Sequence, residues 1–312
     1  MRRCGILTII PMGLALLCAH GQTPQPKFVR IANERLPNAY RVAEQVISGG
    51  QPEGDQAFAD LAALGVKTVI SVDGARPNVE LARKHGLRYV HLPHGYDGIP
   101  AERVRELAKA VRDLPGPIYI HCHHGQHRSP AAAAVACVSA GLIGPESVLA
   151  VLTTAGTSPN YRGLYQSAQA ARRLDDKLLD ELRPEFPETA SLPPIADAMV
   201  QIERTHEHLR ALAANKWERL IGEPDLDPLH EALLLKEHYH ELLRTNDVKR
   251  QSAEFRKLLA GAERGAAGLE EALKEDRVDS HDADRAFVAV TKSCSDCHQK
   301  FRDVPLSGKR NP

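Results

Sequence analysis

The sequence has few aromatic residues and no excess of charge of either sign. Phe, Trp and Tyr make up 4% of the 312 residues. A composition this poor in aromatic side chains favours Ala- and Leu-rich helices over an all-β domain. Lys plus Arg number 40 and Asp plus Glu also number 40, so the formal net charge is zero. Charge alone therefore predicts no attraction to nucleic acid or to a membrane surface.

Long apolar runs are absent except near the N-terminus. The run over residues 6–17 follows two arginines and precedes a small-residue site at residues 19–21. This order is typical of a signal peptide, and the run is short for a membrane span. Leu17 is bulky for lipid attachment at Cys18, so ordinary cleavage is favoured. We predict a signal peptide over residues 1–21 and an exported, periplasmic mature chain with no stable membrane span.

Cysteine is scarce once that segment is removed. Of six cysteines, four remain: Cys122, Cys137, Cys294 and Cys297. In an oxidising compartment four cysteines would normally predict disulfides. Two of them, however, belong to a Cys-x-x-Cys-His motif with another meaning. Cys122 and Cys137 are therefore candidate thiols, and Cys137, on an apolar stretch, is predicted to be a core residue.

Residues 22–186 have the pattern of an α/β domain, with a mainly parallel sheet flanked by helices. Apolar strand candidates alternate with helices of about ten residues, and this alternation is typical of parallel sheets. The predicted strands are 46–52, 66–72, 87–92 and 116–121, and the helices after the last strand are 130–140, 145–154 and 161–182.

The remainder of the chain has a helical pattern. Residues 187–194 are Pro-rich and are predicted to form a linker or a tight connection between domains. Residues 195–312 then predict an all-α four-helix bundle of up-down-up-down topology. Its helices are placed at 195–221, 227–246, 248–274 and 280–304. Such a bundle could also support a homodimer.

The loop after the fourth predicted strand combines a nucleophile with an anion clamp. A strand, a tight loop and a helix follow one another, which aims backbone amides and a helix N-terminus at an anion. Cys122 begins the loop, where that positive end favours the thiolate. Arg128, six residues later, can match two oxygens of a phosphate. The loop therefore predicts chemistry on an oxyanion.

The motif His-Cys-x5-Arg-Ser, with Gly125 inside it, resembles the signature of the protein tyrosine and dual-specificity phosphatases. Upstream, Ile47–Pro52 and Gly65–Ile70 are similar to the small phosphatase-like branch related to beta-lactamase-hydrolase-like proteins. Together the resemblance covers about residues 40–165. It implies a phosphoric monoester hydrolase acting on a phosphorylated protein or a small phosphate ester.

The resemblance implies a role for each residue of the loop. Cys122 attacks phosphorus to form a cysteinyl-phosphate. Ser129 hydrogen-bonds the thiolate, and His121 supports the loop. The equatorial oxygens are held by Arg128 together with backbone amides. Those amides belong to His123, His124, Gly125, Gln126, His127 and Arg128.

A general acid must protonate the leaving oxygen, and families of this kind place an aspartate in a loop after the preceding strand. Asp97, in His-Gly-Tyr-Asp-Gly, is the candidate, although an aspartate before glycine is also an ordinary turn residue. Asp73 follows another parallel strand at the same edge of the sheet and is the alternative.

The loop departs from the usual pattern in having three additional histidines. His123, His124 and His127 could be partly protonated and favour strongly anionic ligands, could bind a metal, or could face solvent. The segment beginning at Tyr161 could fold back over the site or simply begin a helix.

The second motif, Cys294-Ser-Asp-Cys297-His298, is the attachment signal for c-type haem. It predicts one covalent haem c, with thioethers at Cys294 and Cys297 and iron bound by His298. With the following Phe301 and Arg302, it resembles the C-terminal signature of the cytochrome c-prime family. That resemblance covers about residues 195–305 and implies that Arg302 lies beside the haem.

The second axial position on the iron stays open at this stage. Met199 lies one turn into the first helix of the bundle and could supply a sulfur, His206 is an alternative, and the position could also have no side-chain ligand. A haem in an exported protein also predicts a redox partner protein.

Three functions fit both motifs. The first is an exported cysteine-dependent phosphatase fused to a mono-haem domain for electron transfer or for redox or gas sensing. The second is sulfur transfer through a Cys122 persulfide, as in rhodanese-like domains, with haem as the electron outlet. The third is a haem protein whose loop binds an anion without catalysis.

Overall fold

A computed structural model describes residues 28–274 and 280–309; the predicted signal peptide lies outside them. The strands are β1 Val29–Arg30, β2 Tyr40–Ala43, β3 Val46–Gly49, β4 Thr68–Ser71, β5 Arg88–His91 and β6 Ile118–His121. The sheet has the order β1-β2-β3-β6-β4-β5. Strands β3, β6, β4 and β5 are parallel, and β1 and β2 add an antiparallel edge. The expected mainly parallel sheet is therefore confirmed.

The sequence pattern did not predict β1 and β2. Both residues of β1 are exposed, and β2 buries one of its four residues. Neither therefore has the buried apolar run that identifies the four parallel strands. The pairing of β1 with β2 and of β2 with β3 makes them strands, and these contacts are tertiary.

Seven helices of the α/β half surround the sheet: α1 Gly54–Ala63, α2 Val79–Lys84, α3 Ala101–Asp113, α4 Arg128–Ser139, α5 Val148–Thr154, α6 Arg162–Ala170 and α7 Asp176–Glu181. Neighbouring strand residues face opposite sides. Ile118 and Ile120 pack with α3 and α4, whereas Tyr119 packs with α1 and α2. This alternation produces two core layers, one on each face of the sheet.

The single helix predicted over residues 161–182 is wrong, because the chain forms α6 and α7 there. Ala171 leaves the helix with an extended ψ of 132°. The Leu174 amide then donates to the Ser139 carbonyl at the end of α4, over 2.9 Å. Asp175 accepts from the amides of Lys177 and Leu178 and so begins α7. A tertiary hydrogen bond interrupts a run with helical periodicity.

The helical half contains four long helices and one short one. They are α8 Pro194–Ala214, α9 Pro228–Arg244, α10 Asn246–Lys249, α11 Ala253–Leu273 and α12 Ser280–Cys297, followed by a π-helical turn at His298–Arg302 and a 3-10 turn at Leu306–Gly308. Four long helices were expected, and their number is confirmed. Within the described residues, no helix has the length and apolar character that a membrane span requires.

Two helix ends differ from the sequence prediction. The first helix of the bundle ends at Ala214 instead of residue 221, because Lys216 and Trp217 take positive φ angles of 58° and 64°. This turn buries the Trp217 ring and lets its Nε1 donate to Asp284 over 2.9 Å. The third long helix begins at Ala253, where Ser252 caps it.

The Pro-rich segment is a tight connection. The His91 amide donates to the Pro187 carbonyl over 2.8 Å, which extends the hydrogen bonding of β5. The Ala190 amide donates to His91 Nδ1 over 3.0 Å, and Arg83 pairs with Glu188. The connection is therefore fixed along the edge of the sheet.

Candidate active site

The candidate catalytic residues follow the carboxyl ends of neighbouring parallel strands. Cys122 comes directly after β6, and Asp73 lies two residues after β4. Both strands are in register, with Ser71 opposite His121. Parallel strands end at the same edge of the sheet, so their following residues meet there. The fold therefore brings together Cys122 and Asp73, which lie 49 residues apart in the sequence.

The loop between β6 and α4 has its carbonyl groups bonded outward. The carbonyls of His123, Gly125 and Gln126 accept from Gln51, Asn38 and Thr157 over 2.9, 2.9 and 2.6 Å. In a planar trans peptide the amide that follows each carbonyl points the opposite way. The amides of His124, Gln126 and His127 are thereby directed to the inner side of the loop.

Gly125 is required by this loop for two reasons. Its φ is +72°, a conformation that favours glycine. A Cβ at this position would lie 2.4 Å from the Gly50 amide nitrogen. The loop after β3 therefore approaches the catalytic loop too closely for any side chain.

Cys122 is positioned at the N-terminus of α4 and is 4% exposed. Its Sγ lies 3.4 Å from Ser129 Oγ, which donates to the Gly49 carbonyl over 2.9 Å. The positive end of the macrodipole of α4 therefore lies next to the Cys122 sulfur. The expected proximity of Cys122 and Ser129 is observed.

Arg128 reaches back into the same site from the first turn of α4. Its NH2 donates to Asp73 Oδ2 over 3.0 Å, and the side chain is 11% exposed. Its buried Nε has no hydrogen-bond partner among the described residues. Buried guanidinium N–H groups are normally satisfied. The free Nε is a donor in the position where an anion would bind.

Asp73 organises the loop and is a poor candidate for the acid. Besides Arg128, its Oδ2 accepts from the His123 amide over 2.6 Å, and its Oδ1 accepts from the Ala75 amide over 3.0 Å. Burial by itself raises the pKa of Asp73, but the Arg128 charge and the Ala75 amide lower it to about 2. A carboxylate held ionised in this way has no proton to give near neutral pH.

Asp97 lies in the loop after β5, and its side chain faces the C-terminal segment. Its Oδ2 is 2.6 Å from Lys309 Nζ, and its carbonyl accepts from the Leu306 amide over 2.9 Å. Neither partner was anticipated from the sequence, since more than 200 residues separate them from Asp97. The acid candidate is thus held by the helical half of the chain.

Tyr96 is a site residue that the sequence reasoning missed. The centroid of its ring lies 4.5 Å from the guanidinium carbon of Arg128 and 4.3 Å from that of Arg302. Burial raises the pKa of Tyr96 to about 12, so the phenol stays protonated. The sequence signal that could have identified Tyr96 is its position next to Asp97. Tyr161 packs on it with ring centroids 4.7 Å apart, which confirms that the segment folds back over the site.

Two buried histidines support the strand ends. His121 Nε2 is 2.5 Å from the Tyr89 hydroxyl, and burial lowers the pKa of His121 to about 4. This fits the supporting role expected for it. Burial likewise lowers the pKa of His94 to about 4, and its Nδ1 is 2.9 Å from the Gly95 carbonyl. His94, also missed from the sequence, begins the loop that carries Tyr96 and Asp97.

The three loop histidines have different environments. Burial lowers the pKa of His127 to about 4, and its Nδ1 accepts from the Ser158 amide over 3.3 Å. His127 is therefore neutral and supports the loop. His123 and His124 instead direct their Nε2 atoms to the Glu207 carboxylate of α8. The backbone amide of His123 is already bonded to Asp73, so the predicted anion contact of this amide is not observed, and of these two residues His124 has the amide that is directed to the inner side of the loop.

The residues of the haem motif lie at the end of α12. Cys294 and Cys297 are free, half-buried thiols one turn apart on one helix face. The Tyr239 hydroxyl lies 3.2 Å from Cys294 Sγ. Burial lowers the pKa of His298 to about 3, which keeps its imidazole in the neutral form that binds iron. These donors fit covalent attachment of haem and one axial nitrogen.

The candidates for the second axial position differ in how far their atoms are already engaged. His206 has Nε2 at 2.9 Å from the Thr291 hydroxyl and Nδ1 at 3.2 Å from an Arg210 nitrogen. Both ring nitrogens of His206 are therefore already engaged. Met199 packs, half-buried, against the same helical core as Cys294 and Cys297.

Arg302 lies close to the haem motif, where its charge acts on Cys297 and His298. It belongs to the π-helical turn at His298–Arg302 that follows α12. Its guanidinium also contacts Tyr96 of the α/β half and pairs with Asp303 over 2.7 Å. Arg302 thus connects the haem motif to the loop after β5.

No family model and no curated protein matched the sequence. Among solved structures, TpbA of P. aeruginosa is similar at 21% identity over 50% of this chain and 96% of its own, with a TM-score of 0.41. A cysteine-to-serine variant of TpbA in complex with phosphotyrosine has the same values. The core catalytic domain of the S. cerevisiae PP-IP phosphatase Siw14 is similar at 16% identity over 46% of this chain and 90% of its own, with a TM-score of 0.39.

Proposed function

We propose that the α/β half hydrolyses phosphate monoesters with Cys122 as the nucleophile. The observation that carries this proposal is the buried Arg128 guanidinium, whose Nε has no partner among the described residues, at the same helix N-terminus as Cys122. A dianionic phosphoryl group would accept from Arg128 and from the inward amides of the loop.

The reaction has two steps. The Cys122 thiolate forms an S–P bond as the P–O bond to the leaving group breaks, and the leaving oxygen takes a proton from Asp97. Water then attacks phosphorus, the S–P bond breaks, and the thiolate is regenerated with the Ser129 hydroxyl at its side. Asp97, which follows Tyr96 in the loop after β5, would accept the proton of that water.

The test is hydrolysis of para-nitrophenyl phosphate by the full-length protein. Cys122→Ser should abolish activity, because serine at this position is not ionised, and Arg128→Lys should lower kcat/KM by about a hundredfold or more because the two-pronged contact is lost. Cys137→Ala is the matched control, because this thiol is fully buried in α4, the helix that follows the catalytic loop. Activity retained by Cys122→Ser would refute the proposal.

The same preparations distinguish the sulfur alternative. Transfer of sulfur from thiosulfate to cyanide, lost in Cys122→Ser, together with no phosphate release, would assign persulfide chemistry to the loop. Absence of both activities would leave an anion-binding loop, measured by binding of inorganic phosphate.

The role of Asp97 needs a substrate that depends on the acid. Asp97→Asn should slow hydrolysis of alkyl phosphates by about 10²- to 10⁴-fold and of aryl phosphates much less, because phenolates leave without a proton. Asp73→Asn offers the contrast, since it should reduce both rates alike. Equal losses on both substrates in Asp97→Asn would contradict the role of acid.

We further propose that the helical half carries one haem c, which Cys294 and Cys297 would hold by thioethers and His298 and Met199 would bind through the iron. When bound, this group supplies one-electron transfer. Periplasmic protein should show a covalent haem by mass, lost in a Cys294→Ser/Cys297→Ser variant. Met199→Leu should remove the absorption band of methionine-ligated ferric haem, and an unchanged spectrum would refute Met199.

We also propose that the segment 302–309 controls the acid loop. Its support is the set of contacts from Arg302 to Tyr96 and from Lys309 and Leu306 to Asp97. Lys309→Ala should change kcat on alkyl phosphates by about two- to fivefold, the size of a partly exposed ion pair. Lys300→Ala is the control, because Lys300 pairs with Glu254 inside the helical half. Equal kcat values for Lys309→Ala and Lys300→Ala on alkyl phosphates would refute control of the acid loop by this segment.

A further inference from the structure

We infer that His123, His124 and Glu207 form a binding site for a divalent transition metal ion, with zinc the best match. The two histidines belong to the catalytic loop, and the glutamate lies on α8 of the helical half. Their ligand atoms all lie within 4.8 Å of one another. Two imidazoles and one carboxylate, with a position left for water, form a donor set that zinc accepts.

The distances suit a tetrahedral ion. His123 Nε2 lies 3.1 Å from both Glu207 oxygens, and His124 Nε2 lies 3.2 Å from Oε1. Ligand atoms about 2.0–2.1 Å from a tetrahedral zinc ion are separated by about 3.3–3.4 Å. Both histidine nitrogens therefore lie at about the separation from the carboxylate that a tetrahedral ion requires.

The two rings are arranged to share one ion. Their centroids lie 4.2 Å apart, and both present Nε2 to the same carboxylate. One ion placed between these atoms would therefore meet both nitrogens and a carboxylate oxygen.

The backbone that carries the histidines is already fixed. The His123 amide donates to Asp73 and its carbonyl accepts from Gln51, over 2.6 and 2.9 Å. The side chains of His123, His124 and Glu207 are 33%, 56% and 25% exposed, so an ion can enter from solvent. Glu34 and Glu53 line the same open cleft and add negative charge near the site.

A metal ion here would connect the catalytic loop to α8. The ligands come from both halves of the chain, so binding would stabilise the arrangement in which Val200 of α8 lies beside Gly74 after β4. The inference rests on the metal-ligand geometry and does not depend on the proposed phosphatase activity.

The test is a zinc titration of the full-length protein against a chromophoric chelator, in a Cys122→Ser background so that the thiol contributes nothing. Glu207→Gln keeps the size of the side chain and removes the anionic ligand, and His124→Ala removes a nitrogen. Each should lower zinc affinity at the site by about tenfold or more, which corresponds to about 1.4 kcal/mol. Zinc should also raise the Tm of the background protein more than that of either variant.

The control is Glu263→Gln, because Glu263 pairs with the single histidine His240 on the surface of the helical half, over 2.8 Å. This change should leave zinc affinity unaltered. Equal zinc affinity and stoichiometry in the background protein, Glu207→Gln and His124→Ala would overturn the site. That result would leave the phosphatase proposal untouched, since hydrolysis is not measured.

Discussion

The two cysteine motifs of this chain lie at helix ends with very different surroundings. In α4 every residue from Ser129 to Ser139 is buried, and the helix contacts the sheet, α3, α5 and α6. In α12, which has 18 residues, Ala283 and Val290 are the buried ones. Cys122 is thus held by a complete core, whereas Cys294 and Cys297 are half-buried on a helix that packs mainly against α11.

The difference teaches how each motif obtains its geometry. The Cys122 loop is fixed by hydrogen bonds that Asn38, Gln51 and Thr157 donate and by one that Asp73 accepts, so an anion site exists before any anion binds. The motif of α12 supplies donors on one face of a helix that packs mainly on α11 and buries two of its residues. A covalently attached haem would bury more of this helix, because its apolar surface is large.

The largest expected effect is loss of the proposed haem attachment. Cys294→Ser/Cys297→Ser should lower the Tm of the helical half by about 10 °C or more, as expected for a loss of about 2–3 kcal/mol in a domain of about 100 residues. Trp217, the single tryptophan, is buried in this half and reports its unfolding by fluorescence. An unchanged Trp217 transition would show that α12 needs no additional packing.

Gly125→Ala should damage the opposite half. A Cβ would meet Gly50 at 2.4 Å, and the positive φ adds strain, so the loop must move. We expect hydrolysis of para-nitrophenyl phosphate to fall by more than about a hundredfold. The Trp217 transition should stay where it is. Full activity would mean that the loop is less rigid than its contacts indicate.

Asp73→Asn tests the buried pair with Arg128. Loss of one partner of a buried ion pair should lower the free energy of unfolding of the α/β half by about 3 kcal/mol, measured by urea denaturation. In the parent protein the folded pKa of Asp73 is lowered, so its contribution is complete at neutral pH and is lost as pH falls from about 4 through about 2. Stability of Asp73→Asn should therefore vary less with pH over this range.

The smallest effect concerns the contact between the two halves. Arg302→Gln removes the charge that packs on Tyr96 and should lower the free energy of unfolding by about 0.5–1 kcal/mol, the size of a cation–π contact. Arg285→Gln, on the exposed part of α12 with Asp282 as its partner, is the matched control. Equal stability of the two variants would mean that the contact between the halves contributes nothing measurable.

Several features were predictable because they depend on local sequence. The parallel strands have continuous apolar residues, Gly125 lies at a fixed distance from Cys122, and the bundle helices have long periodic runs with breakers between them. The break between α6 and α7 was not predictable, because a hydrogen bond from Leu174 to Ser139 causes it. Trp217 is similar: its burial against Asp284 ends α8 early.

The candidate site likewise has a part that the local sequence predicts and a part that it does not. Cys122, Arg128 and Ser129 share one loop, so their proximity follows from the motif and the helix start. The part played by Asp73 depends on β4 lying beside β6, and a partner for Arg128 cannot be identified without that pairing. Tyr96 is identified as a site residue by the two arginines that contact its ring, one of which is 206 positions further along the chain.

By itself, the sequence determined the alternation of strands and helices, the helical second half and the two cysteine motifs, because periodicity, turn residues and short spacings act within about one element. The tertiary structure decided that Asp73 is ionised and already bonded to Arg128, and that His123 and His124 face Glu207. It also decided that Lys309 and Arg302 reach the loop of Asp97. Those outcomes depend on burial and on charges brought within a few ångströms by packing, and neither quantity exists along the chain before it folds.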